Sequence, residues 1–458
     1  MKIFNTLSGQ KEDFSPQGDV VKMYVCGVTP YDDAHLGHAM SYIIFDVIRR
    51  YLKFGGYKIK FAQNVTDIDD KIIARANQRG ISTHELAEGF TKSYFDDMEA
   101  LNVQLADVNP RATEEIPQMI DVIQGLIDRD YAYTAEGSVY FRVRNVPDYG
   151  KLSHRSLNSM RTGAGAETGA EKEDPMDFVL WKAAKPDEPS WNSPWGPGRP
   201  GWHIECSTMS LTYLGDTIDI HGGGQDLVFP HHENEIAQSE SFTGIKPFVK
   251  YWLHNGLVQM GGEKMSKSLG NLITIKEAVK RYGADALRIF VLSSHYRSPL
   301  TYSDEVVEAA ERGVKRLLRV ISRDDPASGK GEVLECEPFR KQFVEAMDDD
   351  FNTPQALATL FDLAREINQA ADSGISFSDA RSIMLELARD ILGMKLEVSE
   401  FISEPDPETQ LRINQLIEER NRLRQAKEWQ KADEIRDKLA EMGVILEDAP
   451  QGTRAIWK

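Results

Sequence analysis

The sequence has 458 residues, 41% hydrophobic and 28% charged, a composition typical of a globular protein with about two to four domains. Three cysteines are too few and too scattered for a disulfide framework, and neither a basic, apolar leader nor a membrane-length apolar run is present, so we expect a cytoplasmic protein without membrane contact. The net charge of −18, taken alone, argues against a nucleic-acid partner, but it is a sum over the whole chain and binding needs only a local basic face. The basic stretches 312–323 and 419–438 are candidates for such a face, and the alternative is that they are solvated helix surfaces.

The start of the chain predicts a parallel α/β sheet. Residues 21–29 form an apolar, β-rich run, and helical periodicity follows from about Ala39 to Lys53. Residues 57–67 alternate as a strand before a helix expected near 70–79, and residues 216–227 repeat the pattern of a strand and a glycine turn. Because strands alternate with helices, we expect a Rossmann-like parallel sheet whose second half completes the first.

The other parts of the chain differ from this pattern. Residues 161–177 are rich in Gly, Ala and Glu without periodicity, which indicates a loop, and residues 403–408 have linker character. From 304 to about 395 one amphipathic helix follows another, and the tail combines a helical pair with strand and turn character. The predicted domains are two halves of the sheet domain (1–112 and 201–250), a connective insertion (113–200), a linking region (251–303), an α-helical bundle (304–402) and a small mixed α/β module (403–458).

The motif HLGH, residues 35–38, lies where the loop after the first strand enters a helix. Gly37 lets a ligand approach the backbone, the helix N-terminus favours phosphate, and His35 and His38 can donate hydrogen bonds to phosphate oxygens. Four residues often match by chance, so an incidental histidine pair is the alternative interpretation.

The motif KMSKS, residues 264–268, lies in a polar loop, where Lys264 and Lys267 suit a mobile cationic clamp on a polyphosphate. HLGH followed by KMSKS, in this order on an α/β frame, resembles the signature pair of the class I aminoacyl-tRNA synthetases. Leu36 in place of the usual isoleucine conserves volume. The resemblance implies four catalytic residues, His35, His38, Lys264 and Lys267. Among them, Lys267 is expected to make the key transition-state contact.

Longer stretches resemble one family of this class, the cysteinyl-tRNA synthetases. They are CGVTPYDDAHLGHA (26–39), NVTDIDDKI (64–72), GWHIECSTMS (201–210), FPHHENEIAQS (229–239), HNGLVQMGGEKMSKSLGN (254–271), YGADALRIFVLSSHYRSPL (282–300) and KADEIRDKLAEMGVILEDAPQGT (431–453), so the similarity covers essentially the whole chain. The resemblance implies an enzyme that activates L-cysteine with ATP and Mg²⁺ to cysteinyl-adenylate and transfers the cysteinyl group to the 3′ end of tRNA(Cys). We expect it to be a monomer.

The same resemblance implies a single zinc ion per chain that selects the cysteine thiol. Its implied ligands are Cys26, Cys206, His231 and Glu235. Pro230 suits a first helical turn, and His231 and Glu235, four residues apart, would share one face of that helix. Cys26 and Cys206 are each expected to end a β-like run, one in each half of the sheet. Because zinc is borderline-soft, it favours a thiolate over the hydroxyl of serine, which would make an editing domain unnecessary.

Each of these residues also has a simpler interpretation. A free cysteine is more often a small buried hydrophobe, and we retain that interpretation for Cys336. His231 and Glu235 are otherwise a helix cap or a surface pair. His232 is expected to support a ligand or to pack, rather than to bind the metal.

The resemblance also implies substrate-binding residues. The cysteine pocket is expected at Gly27, Thr66, Trp202 and His203. Trp202 is equally consistent with ordinary core. The ATP site is expected at His35, Gly37, His38, Gly223, Gly224, Asp226 and Lys267. Anticodon bases, which proteins read by stacking and edge hydrogen bonds, are expected to contact Arg436, Asp448, Thr453 and Trp457. The ending RAIWK after QGT departs slightly from the family pattern.

Two rival functions remain at this stage. The homologous ligase of mycothiol synthesis joins cysteine to an amino-sugar acceptor with the same zinc and adenylate chemistry, but that family lacks the C-terminal anticodon module that this chain keeps. A catalytically inactive relative that only binds RNA or protein would be expected to lose Cys26, His38 or Lys267, and all three are present.

Overall fold

The computed structural model describes residues 1–157, 171–261, 263–264, 272–326, 332–397, 407–426, 428–441, 444–449 and 452–457. They belong to two units, Met1–Leu396 and Glu397–Lys458. Lys267, most of the loop expected at 161–177 and most of the linker expected at 403–408 lie outside the described residues. Within the described ranges, no helix combines the length and the apolar character that a bilayer-spanning segment needs.

The described residues of the two units form fifteen strands and fourteen α-helices. The strands are β1 (Lys2–Asn5), β2 (Gln10–Asp13), β3 (Val20–Val28), β4 (Lys58–Val65), β5 (Ala132–Ala135), β6 (Ser138–Phe141), β7 (Phe178–Ala183), β8 (Gly198–Pro200), β9 (Ile218–Gly224), β10 (Val249–Asn255), β11 (Val258–Met260), β12 (Glu263–Lys264), β13 (Leu300–Tyr302), β14 (Val444–Ala449) and β15 (Gly452–Trp457). The α-helices are α1 (Leu36–Phe54), α2 (Asp70–Arg79), α3 (Thr83–Ala100), α4 (Ile116–Asp128), α5 (Trp202–Leu214), α6 (Glu233–Thr243), α7 (Ile275–Tyr282), α8 (Ala284–Leu292), α9 (Asp304–Ile321), α10 (Glu337–Asp348), α11 (Thr353–Ser373), α12 (Ser378–Leu385), α13 (Pro407–Gln425) and α14 (Trp429–Glu441).

The central sheet is parallel, which confirms the predicted fold class. Its strand order is β10–β9–β3–β4, so each half of the sheet domain contributes a neighbouring pair of strands. The chain runs from β3 through α1 to β4 at one edge of the sheet, and from β9 through α6 to β10 at the opposite edge. The order therefore reverses between β3 and β9. In open α/β sheets, ligands bind in the crevice outside the carboxyl ends of the strands at such a reversal.

The helix α1 covers one face of this sheet and begins earlier than its periodicity predicts. The apolar side chains Ile43, Val47 and Leu52 are buried at helical spacing. The helix starts at Leu36 rather than Ala39, because His35 is the N-cap and its ring accepts a hydrogen bond from the backbone N–H of Gly37. Histidine is not among the usual N-cap residues, which explains the missed start.

The insertion between the two halves forms its own antiparallel sheet, in the order β5–β6–β7–β8. Buried side chains of this sheet, Phe141 and Trp181 among them, share one apolar core with α4, α5 and α6. The prediction that Cys206 ends a strand is wrong, because Cys206 lies inside α5. Its stretch GWHIECSTMS is buried almost throughout, so it shows no amphipathic pattern that would identify a helix.

The helices predicted after residue 304 are confirmed as α9 to α12. A small sheet with the strand order β12–β11–β13 precedes them. In the second unit, the predicted helical pair followed by strands is confirmed as α13, α14 and the antiparallel hairpin of β14 and β15. The small core of this unit consists of Ile413, Ile435, Leu439, Val444 and Leu446.

Candidate active site and metal centre

The HLGH residues form the N-terminus of α1 at the edge of the crevice. The Nδ1 atom of His35 accepts from the Gly37 N–H at 3.1 Å, and the Nδ1 atom of His38 accepts from the His35 N–H at 3.2 Å. The two rings lie 4.0 Å apart between centroids. A Cβ atom on Gly37 would come within 2.9 Å of the His35 ring, so a larger residue here would displace that ring. The arrangement brings two imidazoles and a helix N-terminus together, as an anion site requires.

The segment that follows KMSKS is tied to the HLGH segment through the backbone. The N–H of Leu36 donates to the carbonyl of Ile273 at 3.0 Å, and the N–H of Ile275 donates to the carbonyl of Ala34 at 2.9 Å. These bonds hold the HLGH segment beside residues 273–275, although the two segments are far apart in sequence. Lys264 ends β12, and neither its side chain nor any part of Lys267 is among the described features.

A cavity of about 320 Å³ opens between the ends of β3 and β9. Its lining includes nine residues predicted from the sequence: Cys26, Gly27, His35, Gly37, His38, Trp202, Gly223, Gly224 and Asp226. Thr66, predicted for the cysteine pocket, is not part of this lining. Its hydroxyl is buried and donates to Glu205 at 2.9 Å.

Sequence reasoning missed one cation of this cavity, Lys71. Its ammonium group lies 5.4 Å from the ring centroid of Tyr31, which also lines the cavity. Lys71 follows two aspartates at the start of α2, so its charge looked like part of an ordinary helix surface.

The residues predicted to bind metal converge at the base of the cavity. The Sγ atoms of Cys26 and Cys206 are 4.0 Å apart, and the Cys26 sulfur lies 3.8 Å from Glu235 Oε1. The Nε2 atom of His231 lies 3.0 Å from the same oxygen. Cys26, His231, His232 and Glu235 each offer a ligand atom within 4.8 Å of the others.

His231 and Glu235 come from the start of a helix, as predicted, although its first turn is irregular. A short helical turn spans Val228–His232, with Phe229 in an extended conformation, and α6 continues from Glu233. The i,i+4 spacing therefore holds, and the alternative of a surface pair is excluded because both side chains are buried.

Three further histidines surround the cluster. His203 approaches His231 at 2.9 Å between their Nδ1 atoms, and the Nε2 atom of His221 lies 2.9 Å from Glu235 Oε2. The Nε2 atom of His232 lies 3.2 Å from the Cys26 sulfur, and its Nδ1 atom lies 2.8 Å from Nε2 of His254. The rings of His231 and His232 therefore each have a polar partner at both nitrogens, as histidine ligands of a metal site usually do, whereas Nδ1 of His221 is buried without a hydrogen-bond partner among the described residues.

The buried cluster perturbs its own proton affinities. Burial raises the pKa of the Cys26 thiol, whereas the hydrogen bond from Cys26 lowers the pKa of Cys206 to about 6. Burial opposes ionisation of Glu235, yet His221 and His231 lower its pKa to about 2. Burial and the neighbouring His231 lower the pKa of His203 to about 3. Burial opposes protonation of His231, yet Glu235 and Cys206 raise its pKa to about 10, so the negative charge of Cys206 and Glu235 lies beside a basic imidazole.

Trp202 covers this cluster from the side of the insertion. Its ring stacks on His231 with centroids 4.1 Å apart, and 41% of the residue is exposed, so it is not ordinary core. Trp202 and His203 also line a second cavity, of about 790 Å³, together with Arg199 and Lys182 of the insertion sheet. The tryptophan therefore stands between the two cavities.

The residues predicted to contact the anticodon lie in the second unit. Arg436 is exposed on α14. Asp448 and Thr453 are opposite each other in the β14–β15 hairpin, and Trp457 ends β15. The side chains of these three residues lie outside the described features.

Three family models and several relatives match this chain, and the matches together cover nearly its whole length. The family model "tRNA synthetases class I (C) catalytic domain" matches residues 14–312, the model "DALR domain" matches residues 342–397, and the model "Cysteinyl-tRNA ligase anticodon binding domain" matches residues 406–456. The protein named cysteine–tRNA ligase of Dehalococcoides mccartyi (strain ATCC BAA-2100) is 59% identical over 459 residues, covering 100% of this chain and 99% of the relative. The protein of the same name from Caldicellulosiruptor saccharolyticus is 49% identical over 466 residues, covering 99% of each chain.

Among solved structures, methionyl-tRNA synthetase of Mycobacterium tuberculosis in complex with methionyl-adenylate superposes with a TM-score of 0.61 at 17% identity, over 83% of this chain and 92% of that one. At this identity the likeness shows the fold alone. The sequence matches go further, because a catalytic-domain model spans most of the chain and relatives of matching length share about half or more of its residues. The chain therefore belongs to the cysteinyl-tRNA synthetases, a family of class I aminoacyl-tRNA synthetases.

Proposed function

We propose that this aminoacyl-tRNA synthetase activates L-cysteine with ATP at the crevice and then transfers the cysteinyl group to tRNA(Cys). The position of Cys26 carries the proposal, because this residue belongs to the donor cluster and also lines the 320 Å³ cavity. His35 and His38 line the same cavity. A thiol-binding group and a phosphate-binding group thus belong to one site, which suits a reaction between cysteine and ATP.

Zinc fits the donor set of Cys26, Cys206, His231 and Glu235. Two sulfurs each about 2.3 Å from zinc in a tetrahedron lie roughly 3.8 Å apart, close to the 4.0 Å between these cysteines. His231 is favoured as the histidine ligand because its ring contacts two other proposed ligands, Glu235 at 3.0 Å and the Cys206 thiol, whereas His232 contacts Cys26 and lies 3.9 Å from Glu235. When bound, zinc would supply a soft binding site for the substrate thiolate that a serine hydroxyl fills poorly.

The chain's own residues then orient the reactants. The Trp202 ring, stacked on His231, would exclude water from one side of the bound thiol. Gly223 and Gly224 would let the adenosine approach the backbone, and Asp226 would accept from its hydroxyls. In this arrangement the cysteine carboxylate and the α-phosphate of ATP share one cavity, and proximity contributes much of the rate.

The activation step requires stabilisation of negative charge rather than covalent catalysis. A carboxylate oxygen of cysteine attacks the α-phosphorus, and pyrophosphate leaves with the bonding electron pair. His35 and His38 would oppose the developing charge from the start of α1, and Lys264 and Lys267 from the KMSKS loop. Mg²⁺ would accompany the ATP.

The acceptor is proposed to be tRNA. The match of residues 406–456 to an anticodon-binding domain supports this acceptor over the amino sugar of the mycothiol pathway. Arg436 on α14 and the hairpin positions of Asp448, Thr453 and Trp457 are proposed to contact the anticodon, and the helices of residues 304–402 to contact the tRNA stem. In the second step a hydroxyl of the terminal ribose attacks the adenylate carbonyl, and AMP leaves.

The test is amino-acid-dependent exchange of pyrophosphate into ATP, measured with each amino acid in turn and followed by charging of total tRNA. Cysteine alone should support exchange, serine should not, and the charged product should be cysteinyl-tRNA. The purified enzyme should contain about one zinc per chain. Exchange supported equally by serine would refute the proposed selection, and full activity of metal-free enzyme would refute the ligand assignment.

A further inference from the structure

Three consecutive aspartates, Asp348 to Asp350, lie where α10 ends and the chain turns towards α11, and each contacts a different part of the first unit. Asp348 accepts from the Tyr51 hydroxyl at 2.6 Å, near the end of α1. Asp349 pairs with Lys11 of β2 at 2.6 Å on the surface. Both of these contacts are partly exposed, whereas the third aspartate, Asp350, is buried.

Asp350 is buried completely, and its carboxylate accepts three hydrogen bonds from two distant segments. Its Oδ1 accepts from the backbone N–H of Phe4 at 2.7 Å and from the Tyr296 hydroxyl at 2.9 Å. Its Oδ2 accepts from Nε of Arg297 at 2.9 Å. The guanidinium of Arg297 also stacks over the Phe4 ring, 4.2 Å from its centroid. Hydrogen bonds to a buried carboxylate are among the strong ones, so this contact fixes the turn that carries Tyr296 and Arg297.

The backbone around Asp350 is itself constrained. Asp350 and Phe351 have φ angles of +61° and +51°, in the left-handed region that side chains rarely adopt. The Asp350 N–H donates to the carbonyl of Lys2 at 2.8 Å. Such a conformation persists only where the surroundings impose it, and here it aims the carboxylate inward.

The turn held by Asp350, residues 295–298, packs against residues that line the 320 Å³ cavity. The carbonyl of Tyr296 accepts from the N–H of Gly256 at 2.8 Å, and the carbonyl of Leu257 accepts from the N–H of Leu300 at 3.0 Å. Gly256 and Leu257 line the 320 Å³ cavity. A Cβ on Gly256 would lie 2.1 Å from the Ser298 carbonyl oxygen, so the turn and the cavity wall are in direct backbone contact.

The same turn leads into the sheet that carries the first KMSKS lysine. It continues into β13, which pairs with β11, and β11 pairs with β12, whose last residue is Lys264. A displacement of the turn would therefore move both the wall of the nucleotide cavity and the strand that leads into the KMSKS loop. By contrast, the donor cluster belongs to β3, α5, the turn Val228–His232 and the start of α6, and among the described residues no hydrogen bond or ion pair joins the four proposed ligands to residues 295–298.

We propose that Asp350 is a positioning residue for the nucleotide step, which acts by holding the turn 295–298 against the Gly256–Val258 wall of the ATP cavity. The assignment of that cavity to ATP rests on the proposed function. Asp350 is not part of the lining of that cavity. It acts through Tyr296 and Arg297, and it links the helical region, which is proposed to contact the tRNA stem, to the place where ATP binds.

The test compares Asp350→Asn with Asp349→Asn, a neighbouring substitution of the same chemistry at an exposed carboxylate. In Asp350→Asn one acceptor becomes an amide donor that faces donors, so the turn should shift. We expect the KM for ATP in cysteine-dependent pyrophosphate exchange to rise about fivefold or more, while the KM for cysteine and the zinc content stay within about twofold of the wild type. Asp349→Asn should leave all three unchanged. The proposal is overturned if Asp350→Asn lowers only the unfolding temperature, or raises the KM for ATP and for cysteine equally.

A second variant keeps the test decisive if Asp350→Asn fails to fold. Arg297→Gln removes one donor and should raise the KM for ATP in the same selective way. Where both single variants fold, the double variant should be little worse than either alone, because the two residues act as one unit. Fully additive effects, or an Arg297→Gln enzyme with wild-type kinetics, would contradict the proposal. Failure of the wild type to show cysteine-dependent exchange would instead refute the proposed function.

Discussion

Gly27 offers a direct test of how tightly the sheet positions the proposed metal site. An ideal Cβ atom at this position would lie 1.6 Å from the carbonyl oxygen of Asn64 and 2.7 Å from its carbonyl carbon. Both are backbone atoms of β4, so no side chain can rotate away. The strands would have to separate by about 1.4 Å to restore even the 3.0 Å that real Cβ contacts rarely undercut. Gly27→Ala is therefore a small substitution with a large local displacement.

The expected cost follows from this displacement. Overpacking of this kind typically costs about 1–3 kcal/mol of unfolding free energy. The hydrogen bond from the Gly27 N–H to Asn64 Oδ1, 2.8 Å long, would also be strained, which adds about 1 kcal/mol. Because Cys26 is the adjacent residue, its sulfur would move with the backbone. A displacement of about 1 Å in a reacting group can lower the rate on the order of 100-fold.

The assay measures zinc per chain, urea unfolding and kcat/KM for cysteine in pyrophosphate exchange. For Gly27→Ala we expect destabilisation of about 2–4 kcal/mol, reduced zinc content and a loss on the order of 100-fold in kcat/KM. Gly89→Ala is the matched control, since Gly89 lies in α3 with no atom within 4 Å of the added Cβ. That variant should be slightly stabilised, by about 0.5–1 kcal/mol. A Gly27→Ala enzyme with wild-type zinc content and kcat/KM would refute the reasoning.

Three further expectations follow from the structure. Cys206→Ser should reduce the zinc content and raise the KM for cysteine, while Cys336→Ser, at the start of α10, should change neither. Asp46→Asn should lower the unfolding free energy by about 3–5 kcal/mol, because it leaves the fully buried Arg288, 2.5 Å away, without its carboxylate partner. As a control, Asp96→Asn at an exposed ion pair should lower the unfolding free energy by less than about 1 kcal/mol. Removal of residues 397–458, the second unit, should impair tRNA charging far more than pyrophosphate exchange, and equal losses in both assays would argue against a separate RNA-binding role.

The elements that could be predicted are those whose pattern depends on one sheet face or one helix stripe. β3, β4, α1 and α2 agree with the periodicity within about three residues, because each has a buried side and a defined end. α5 could not be predicted in this way. Its residues Glu205, Cys206 and Ser207 are buried together, since the helix packs between the parallel sheet and the insertion. A polar segment buried on all sides carries no periodic signal.

The candidate site was predictable to a similar extent, and for a related reason. Residues at strand ends and helix starts, such as Cys26, His35 and Gly223, can be placed by topology, because the carboxyl ends of neighbouring parallel strands meet at one edge. Lys71, His221 and His254 were missed, whereas His203 was predicted. The three missed side chains enter the site from α2, β9 and β10, and only the packed structure determines which side of each element points inward.

The structure also explains why the proposed ligands are so far apart in the sequence. Cys26 lies near the end of β3, and His231 with Glu235 follows the end of β9, so these three are brought together by the reversal of strand order between β3 and β9. Cys206 comes instead from α5, which precedes β9 and packs against β3 and β4. Each half of the split sheet therefore supplies donors that the other half lacks. It follows that zinc binding should stabilise the association of the two halves, in addition to selecting cysteine. Chelation of the zinc should therefore lower the unfolding temperature of the whole first unit rather than that of the insertion alone.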